Sequence, residues 1–271
     1  MPSCYAHYRF GAHVIPALPE QVRKIIEENR YLFDMGLQGP DFFFFYRLGR
    51  NTPVKKLGHK FHYQTGAEFF GRICREFPNP TEEELAYLYG LLGHYCLDSR
   101  SHPMIWSLAK EDSLLHNRME SEFERYLLAL DGIAEPHRYD HSRFLKVTRG
   151  ESMTISAFYP PATGLSNTNK LVRFYPGATA GQIQEALWSM RLILGLLMVH
   201  PGAKWVLKQM GGANPGLLME SQPVAELADI NGALKSLFDE AVAQYPHYLA
   251  QLREHIAFGK PFGKELEGIF G

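Results

Sequence analysis

The sequence predicts an all-α protein. Its 271 residues contain almost none of the apolar–polar alternation that marks strands, whereas apolar residues recur at helical spacing in several long segments. One of these segments opens with a strong helix-start signal, and glycine and proline are concentrated between the segments. We therefore expect one helical domain over residues 1–271, built as a multi-helix bundle.

The first half of the chain supplies four predicted helices. The first covers residues 19–29, where Val22, Ile25 and Ile26 share one side. The glycine-rich stretch 36–49 is loop-like at its start and places Asp41 at a helix N-terminal turn. A second helix is predicted over residues 64–77. A third begins at a capping box at residues 81–84 and ends at His102, because Pro103 follows. A fourth is predicted over residues 114–130.

The second half is less regular before it becomes helical again. Residues 131–177 are rich in turn signals, with a predicted helix near residues 152–158. Long amphipathic helices are predicted at 180–199 and 224–243, with a glycine-rich loop at 211–216 between them, and a last helix at 247–257. We expect these C-terminal helices, within residues 178–258, to pack around a site formed by residues 1–130.

Composition excludes several classes of function. The net charge of -1 and the pI of about 6.9 give no global attraction to nucleic acid or to an anionic membrane, so a polyanionic substrate would have to be met locally. Cys4, Cys74 and Cys96 are too few for a disulfide framework or a CxxC zinc site, which indicates a reducing compartment. The sequence predicts no transmembrane segment and no secretory signal, so a cytoplasmic location is expected.

A dense group of potential metal ligands lies between residues 94 and 120. Its pairs at i, i+4 spacing each project from one face of a helix, and two such faces could enclose a cluster of divalent metals. The members are His94, Asp98, His102, His116 and Glu120. Nitrogen and carboxylate ligands without thiolates suit catalytic zinc, although manganese or iron would tolerate them. The alternative is two solvated helix faces stabilised by i, i+4 contacts.

Further candidates lie upstream. His7 stands in AHYRFG, Asp41 in GPDFF and His62 in GHKFHYQTG, where His59 is a competing candidate. Any one of them taken alone is more typical of a structural histidine or a capping aspartate. A second histidine cluster, with His141, falls in a turn-rich stretch and is predicted to be a surface loop.

Together, the segments AHYRFG, GPD, FHYQTG, HYCLDSRSH and HNRME resemble the zinc-dependent phospholipase C family in order and spacing. The resemblance covers residues 1–130, and the run from His94 to Glu120 is its specific part. This family shares its all-helical fold with the S1/P1-type single-strand nucleases. The resemblance therefore implies a bundle of the phospholipase C/P1 nuclease type, a cofactor of two or three zinc ions, and hydrolysis of phosphodiester bonds.

The resemblance also implies a ligand set. Asp41, His62 and His94 would bind one zinc, Asp98 would bridge it to a second that takes His7, and the third would be held by His102, His116 and Glu120. Asp41 would in addition orient the attacking water or act as general base. Secreted relatives use the freed amino terminus as a further ligand to the second zinc. Here three alternatives stay open: the amino group of Met1 or Pro2 is that ligand, the Cys4 thiolate replaces it, or that zinc is weak or absent.

The aromatic run 42–46 follows Asp41 directly. Consecutive aromatic residues cannot all face one side of a helix, so most are expected to pack in the core. Phe42 and Tyr46 are the candidates to line the metal cleft, where a flat apolar surface would receive an acyl chain or stack on a nucleobase.

Three functions fit the sequence. The first is zinc-dependent hydrolysis of a phosphodiester, in a phospholipid headgroup or a smaller soluble molecule. The second is an S1/P1-like nuclease or nucleotidase, and the third is a non-catalytic, metal-stabilised helical interaction protein. No stable nucleic-acid partner is expected, because the overall charge is close to neutral.

Overall fold

A computed structural model describes residues 4–47, 49–145, 168–199, 216 and 218–270. These residues form helices, an isolated β-bridge between Thr65 and Ile269, and no strand, which confirms the all-α prediction. Ten α-helices fall within the described residues: α1 (Cys4–Val14), α2 (Glu20–Glu28), α3 (Arg30–Gly36), α4 (Pro53–His62), α5 (Gly66–Glu76), α6 (Glu82–Ala109), α7 (Ser113–Leu130), α8 (Thr168–Phe174), α9 (Ala180–Val199) and α10 (Ala228–Phe258). Short 3-10 helices include Gly39–Phe45 and His141–Leu145.

The helices that carry the site begin at well-formed caps. The capping box predicted for α6 is present, with the Thr81 hydroxyl accepting from the Glu84 amide and the Glu84 carboxylate accepting from the Thr81 amide. Asp112 is the N-cap of α7, and its Oδ1 accepts hydrogen bonds from the amides of Leu114 and Leu115. These caps define the residues at which α6 and α7 begin.

Two helices are longer than predicted. α6 does not end at His102 but continues through Pro103 to Ala109, and the helices predicted at 224–243 and 247–257 are one helix, α10, that passes through Pro246. A proline inside a helix removes one hydrogen bond and crowds the preceding turn. Because α6 and α10 pack against each other along their length, tertiary burial outweighs that loss. The helix predicted near 152–158 and residues 211–215 of the glycine-rich loop lie outside the described residues.

α6 is the central helix of the fold. It packs against α1, α3, α7 and α10, while α9 covers the 3-10 helix Gly39–Phe45. The crossing of α3 and α6 is backbone to backbone, because a Cβ at Gly36 would clash with the Tyr87 carbonyl and one at Gly90 with the Phe33 carbonyl. This approach brings the end of α3 within hydrogen-bond distance of His94. Within the described residues, no helix is long and apolar enough to cross a membrane.

Candidate metal centre

Five elements, with α6 among them, direct ligand-type side chains to one buried region. Seven of the eight side chains are buried, and His116 keeps 22% of its side-chain surface exposed. They are His7 of α1, Asp41 of the 3-10 helix, His62 at the end of α4, His94, Asp98 and His102 of α6, and His116 and Glu120 of α7. The structure thus brings together all eight residues that the sequence singled out.

Asp41 lies at one end of this region. Its Oδ1 is 2.9 Å from His62 Nε2 and 3.9 Å from His94 Nε2. The ring of His7 stacks on that of His94, with 4.3 Å between the centroids. Ligand atoms of His7, Asp41 and His94 all lie within 4.8 Å of one another, which is close enough to share one metal ion.

Asp98 lies between the other ligands. Its Oδ1 is 3.2 Å from His7 Nε2, and its Oδ2 is 3.1 Å from His94 Nε2 and 3.7 Å from His102 Nδ1. A second set of mutually close ligand atoms contains Asp98, His62 and His94. This set shares His94 with the first, and Asp98 also lies beside His7 of the first, so the two sets form one continuous cluster.

The third set lies on the hairpin formed by α6 and α7. Glu120 Oε1 is 3.2 Å from His102 Nε2 and 3.3 Å from His116 Nε2, and these three residues again have ligand atoms within 4.8 Å of one another. His102 faces Asp98 with its other ring nitrogen, so this hairpin set adjoins the first cluster.

Hydrogen bonds behind the histidines orient their rings. His62 Nδ1 lies 2.7 Å from the Gly58 carbonyl, and His94 Nδ1 lies 3.1 Å from the Leu37 carbonyl. Since a carbonyl only accepts, each Nδ1 carries a proton and donates, which directs Nε2 towards the carboxylates, where its lone pair can bind a metal once any proton on Nε2 is lost.

The donor set fits a divalent metal. Nε2 of His7 and of His94 and Nδ1 of His102 are buried and make no hydrogen bond within the described residues, although carboxylate oxygens lie within 4 Å. Buried polar atoms without partners are rare in folded proteins. A cation between the imidazoles and the carboxylates would satisfy these atoms, and neutral nitrogen with carboxylate oxygen suits zinc.

The carboxylates of the cluster are held ionised. Burial alone would raise the pKa of Asp98, but the imidazoles of His94, His102 and His7 outweigh it and lower that pKa well below its usual range. Burial also opposes ionisation of Asp41, yet the hydrogen bond from His62 and the charge of His94 lower its pKa. Both groups therefore remain anionic, as metal ligands must be.

Comparison with known proteins identifies the family of this chain. The family model of zinc-dependent phospholipase C matches residues 6–160, which include all eight ligand-type residues and more than half of the chain. The chain belongs to the zinc-dependent phospholipase C family. Neither a curated protein nor a solved structure matches the chain significantly.

Two alternative ligands lie apart from these sets. His59, which competed with His62, is exposed, and its ring contacts Phe44 with 4.8 Å between centroids. Cys4 is buried, and burial together with Glu124 and Asp41 raises the pKa of its thiol well above the usual range, which disfavours a thiolate. Among the described residues, neither belongs to a set of mutually close ligand atoms, whereas His62 does.

A cleft of about 600 Å³ opens onto the centre. Asp41, His62, His102 and His116 are part of its lining. Its other lining residues come from the 3-10 helix, α4 and the α6–α7 turn: Phe44, His59, Tyr63, Trp106, Lys110, Glu111, Asp112, Ser113 and Asn117. The centre is therefore accessible from solvent through walls that carry aromatic rings.

The structure corrects the expectation that Phe42 and Tyr46 line this cleft. Both are buried, and Phe42 packs edge-on against Tyr175. Phe44 lines the cleft instead. The reason is the 3-10 conformation of Gly39–Phe45, in which residues at i and i+3 share a face, so Phe44 lies on the same side as Asp41.

A buried carboxylate that the sequence did not reveal anchors α1 beside the centre. Glu124, one turn beyond Glu120, accepts hydrogen bonds at Oε1 from the amides of Tyr5 (2.5 Å) and Ala6 (3.4 Å). Its Oε2 is 3.3 Å from Nε2 of His141, which is buried and not in a surface loop as predicted. An anion at a helix N-terminus is favourable, so Glu124 holds the start of the helix that carries His7.

Replacing Glu124 with alanine should lower the free energy of unfolding by about 3 kcal/mol, because two buried amides and a buried imidazole lose their partner. Urea unfolding of the zinc-loaded protein measures this loss. The matched control is Asp131→Asn. It weakens the partly exposed ion pair between Asp131 and Arg9 of α1, and it should lower the free energy of unfolding by about 1 kcal/mol or less. Equal losses in the two variants would contradict a special role for the buried carboxylate.

Proposed function

We propose that this protein hydrolyses phosphodiester bonds with zinc ions held by the eight clustered residues. The observation that carries the proposal is their convergence in three mutually close sets at a cleft of about 600 Å³. A purely structural metal site is closed to solvent, whereas a catalytic one keeps an open side. His116 and Asp41, which line the cleft, supply that open side here.

The residues divide into distinct roles. Zinc ions bound here would supply a Lewis acid for the phosphate oxygens and lower the pKa of a water molecule. Asp41 lines the cleft and is held ionised, so it can accept a proton from the attacking water and orient it. Asp98 is buried among three imidazoles and is not part of the cleft lining, which restricts it to binding and bridging.

The cleft walls limit the substrate to one with flat or apolar parts beside its phosphate. Phe44, Tyr63 and Trp106 offer aromatic surface, and Tyr63 has 69% of its surface exposed. Lys110 is the single lysine in the lining. The other charged groups there are carboxylates and histidines. We infer a phospholipid headgroup or a smaller soluble phosphodiester as substrate.

The same aromatic rings favour a second candidate function. Trp106 and Tyr63 could stack on bases of single-stranded nucleic acid, as S1/P1-like nucleases require. The three free cysteines accord with the cytoplasmic location that we propose for either activity.

Two measurements test the proposed function. Metal analysis of the purified protein should give more than one zinc ion per chain, and fewer than one would contradict a catalytic centre. The zinc-loaded protein is then assayed on p-nitrophenyl phosphocholine and on single-stranded DNA. We expect turnover of the first substrate. Turnover of DNA alone would identify a nuclease, and a zinc-loaded protein inert on both would favour the non-catalytic interaction protein.

A further inference from the structure

One segment of this nearly neutral chain is strongly basic. Residues 42–67 contain no aspartate or glutamate but five basic residues: Arg47, Arg50, Lys55, Lys56 and Lys60. The whole chain has a net charge of -1, so this concentration of positive charge is local. The segment contains α4, which forms one wall of the cleft.

The exposed side of α4 joins this charge to the cleft. Lys56, His59, Lys60 and Tyr63 follow the spacing i, i+3, i+4, i+7, which places them on one face of the helix and its final turn. All four are exposed, and His59 and Tyr63 also line the cleft. This α4 face therefore runs from solvent directly to the mouth of the catalytic region.

The charges of the α4 face are available to a partner. Lys56 and Lys60 make no ion pair within the described residues, in contrast to the neighbouring Arg47, which pairs with Glu185 at 3.0 Å. Glu68, the next acidic residue along the chain, accepts a hydrogen bond from the Thr65 amide in the capping box of α5. Lysines kept exposed and unpaired beside a cleft create a positive potential there.

We propose that the α4 face docks the protein on an anionic phospholipid surface, with the cleft turned towards the lipid. This inference rests on the proposed function and deepens it, because it makes the substrate a lipid held in a membrane and not a free diester. Each lysine near an anionic membrane surface contributes about 1 kcal/mol of attraction. Tyr63 is suited to the interface, since its ring prefers the apolar boundary and its hydroxyl prefers water.

Charge complementarity alone would also permit binding to nucleic acid, so the arrangement of aromatic residues decides between the two. A single-strand binding surface alternates basic groups with several stacking rings along the path of the chain. The α4 face has one tyrosine, at its end next to the cleft, and no exposed phenylalanine or tryptophan along its length. This pattern fits a lipid surface, because a single ring at the rim of the cleft can enter the interface between membrane and water.

The test is sedimentation of the zinc-loaded protein with lipid vesicles. Wild-type protein should bind vesicles of phosphatidylcholine with phosphatidylserine and should bind vesicles of phosphatidylcholine alone much more weakly. Lys56→Glu/Lys60→Glu should lower affinity for the mixed vesicles by about 30-fold, and raised salt should weaken wild-type binding. Turnover of soluble p-nitrophenyl phosphocholine should stay unchanged in this variant, because neither lysine lines the cleft.

The matched control is Lys24→Glu/Lys260→Glu, which makes the same change in net charge at two exposed lysines outside the cleft lining. It should bind the mixed vesicles like the wild type. Equal weakening in both double variants, no wild-type binding to mixed vesicles, or tighter binding to labelled single-stranded DNA would overturn the docking surface. Vesicle binding by a protein inactive on p-nitrophenyl phosphocholine would overturn only the proposed function, and activity without vesicle binding only the docking.

Discussion

Replacing Asp98 with asparagine should lower phosphodiesterase activity by on the order of 10³-fold or more and reduce the zinc content of the protein. Asp98 is the carboxylate shared by the cluster, since its two oxygens lie between 3.1 and 3.7 Å from imidazoles of His7, His94 and His102. Asparagine keeps the shape of the side chain but removes the negative charge that offsets the positive charge of the metal ions. It also places an amide among imidazole lone pairs. Metal analysis and turnover of p-nitrophenyl phosphocholine measure the two effects.

Asp34→Asn is the matched control for this change. Asp34 is also buried, but its partner is Arg30, at 2.8 Å, and it lies outside the ligand sets. This variant should keep its zinc and its activity. Circular dichroism of both variants shows whether they are folded. A folded Asp98→Asn protein with wild-type activity would contradict the bridging role.

The affinity for zinc should increase steeply with pH between about 5.5 and 8. Burial lowers the pKa of His94 and of His102, but Asp98, with Asp41 or Glu120, outweighs burial and raises both pKa values in the metal-free protein. Protons therefore compete with zinc for these imidazoles up to a higher pH than usual. The pKa of His7 is lowered by burial and by His94, so this ring is neutral through most of the range. Competition with a chromophoric chelator measures the affinity.

The same protonation predicts that pH has opposite effects on the stability of the metal-free protein and on the stabilisation by zinc. Raised histidine pKa values stabilise the metal-free fold below the unfolded value of about 6.5, and this stabilisation is lost as pH rises through the folded pKa values. Zinc stabilises the protein more as pH rises, because its ligands are then deprotonated. The difference in Tm between zinc-loaded and metal-free protein should therefore widen with pH. The exposed-residue variant His247→Asn should behave like the wild type, and a pH-independent difference would refute this account.

Local sequence patterns were sufficient for most of the ligand arrangement. The i, i+4 spacing of His94, Asp98 and His102 places them on one helix face, and the capping box at Thr81 fixes where that helix begins. The family motif then supplied the residues from other elements. The side chains lie close together because their positions depend on helix geometry and on a motif, and both are properties of short stretches of chain; zinc binding by them stays a prediction.

What the sequence did not reveal depends on contacts between distant residues. Glu124 belongs to none of the motifs and His141 is predicted to lie in a surface loop, but the fold buries both beside α1. Phe44 and not Phe42 lines the cleft because Phe44 lies three residues after Asp41 on the same helix face, whereas Phe42 packs against the distant residue Tyr175. Pro103 suggested a helix end, but packing of α6 against α10 outweighs the hydrogen bond that proline removes.

The hairpin of α6 and α7 also bears on the order of assembly during folding. His102, His116 and Glu120 lie within 19 consecutive residues, whereas His7, Asp41 and His94 span most of the first third of the chain. Closing a short loop costs less conformational entropy than closing a long one, and local contacts form faster than distant ones. The hairpin set is therefore the part of the centre that the full-length chain can complete first when it folds, with the capped α7 already in place. The set that contains His7 closes only after α1 has docked, so the last ligand to arrive is the one nearest the start of the chain.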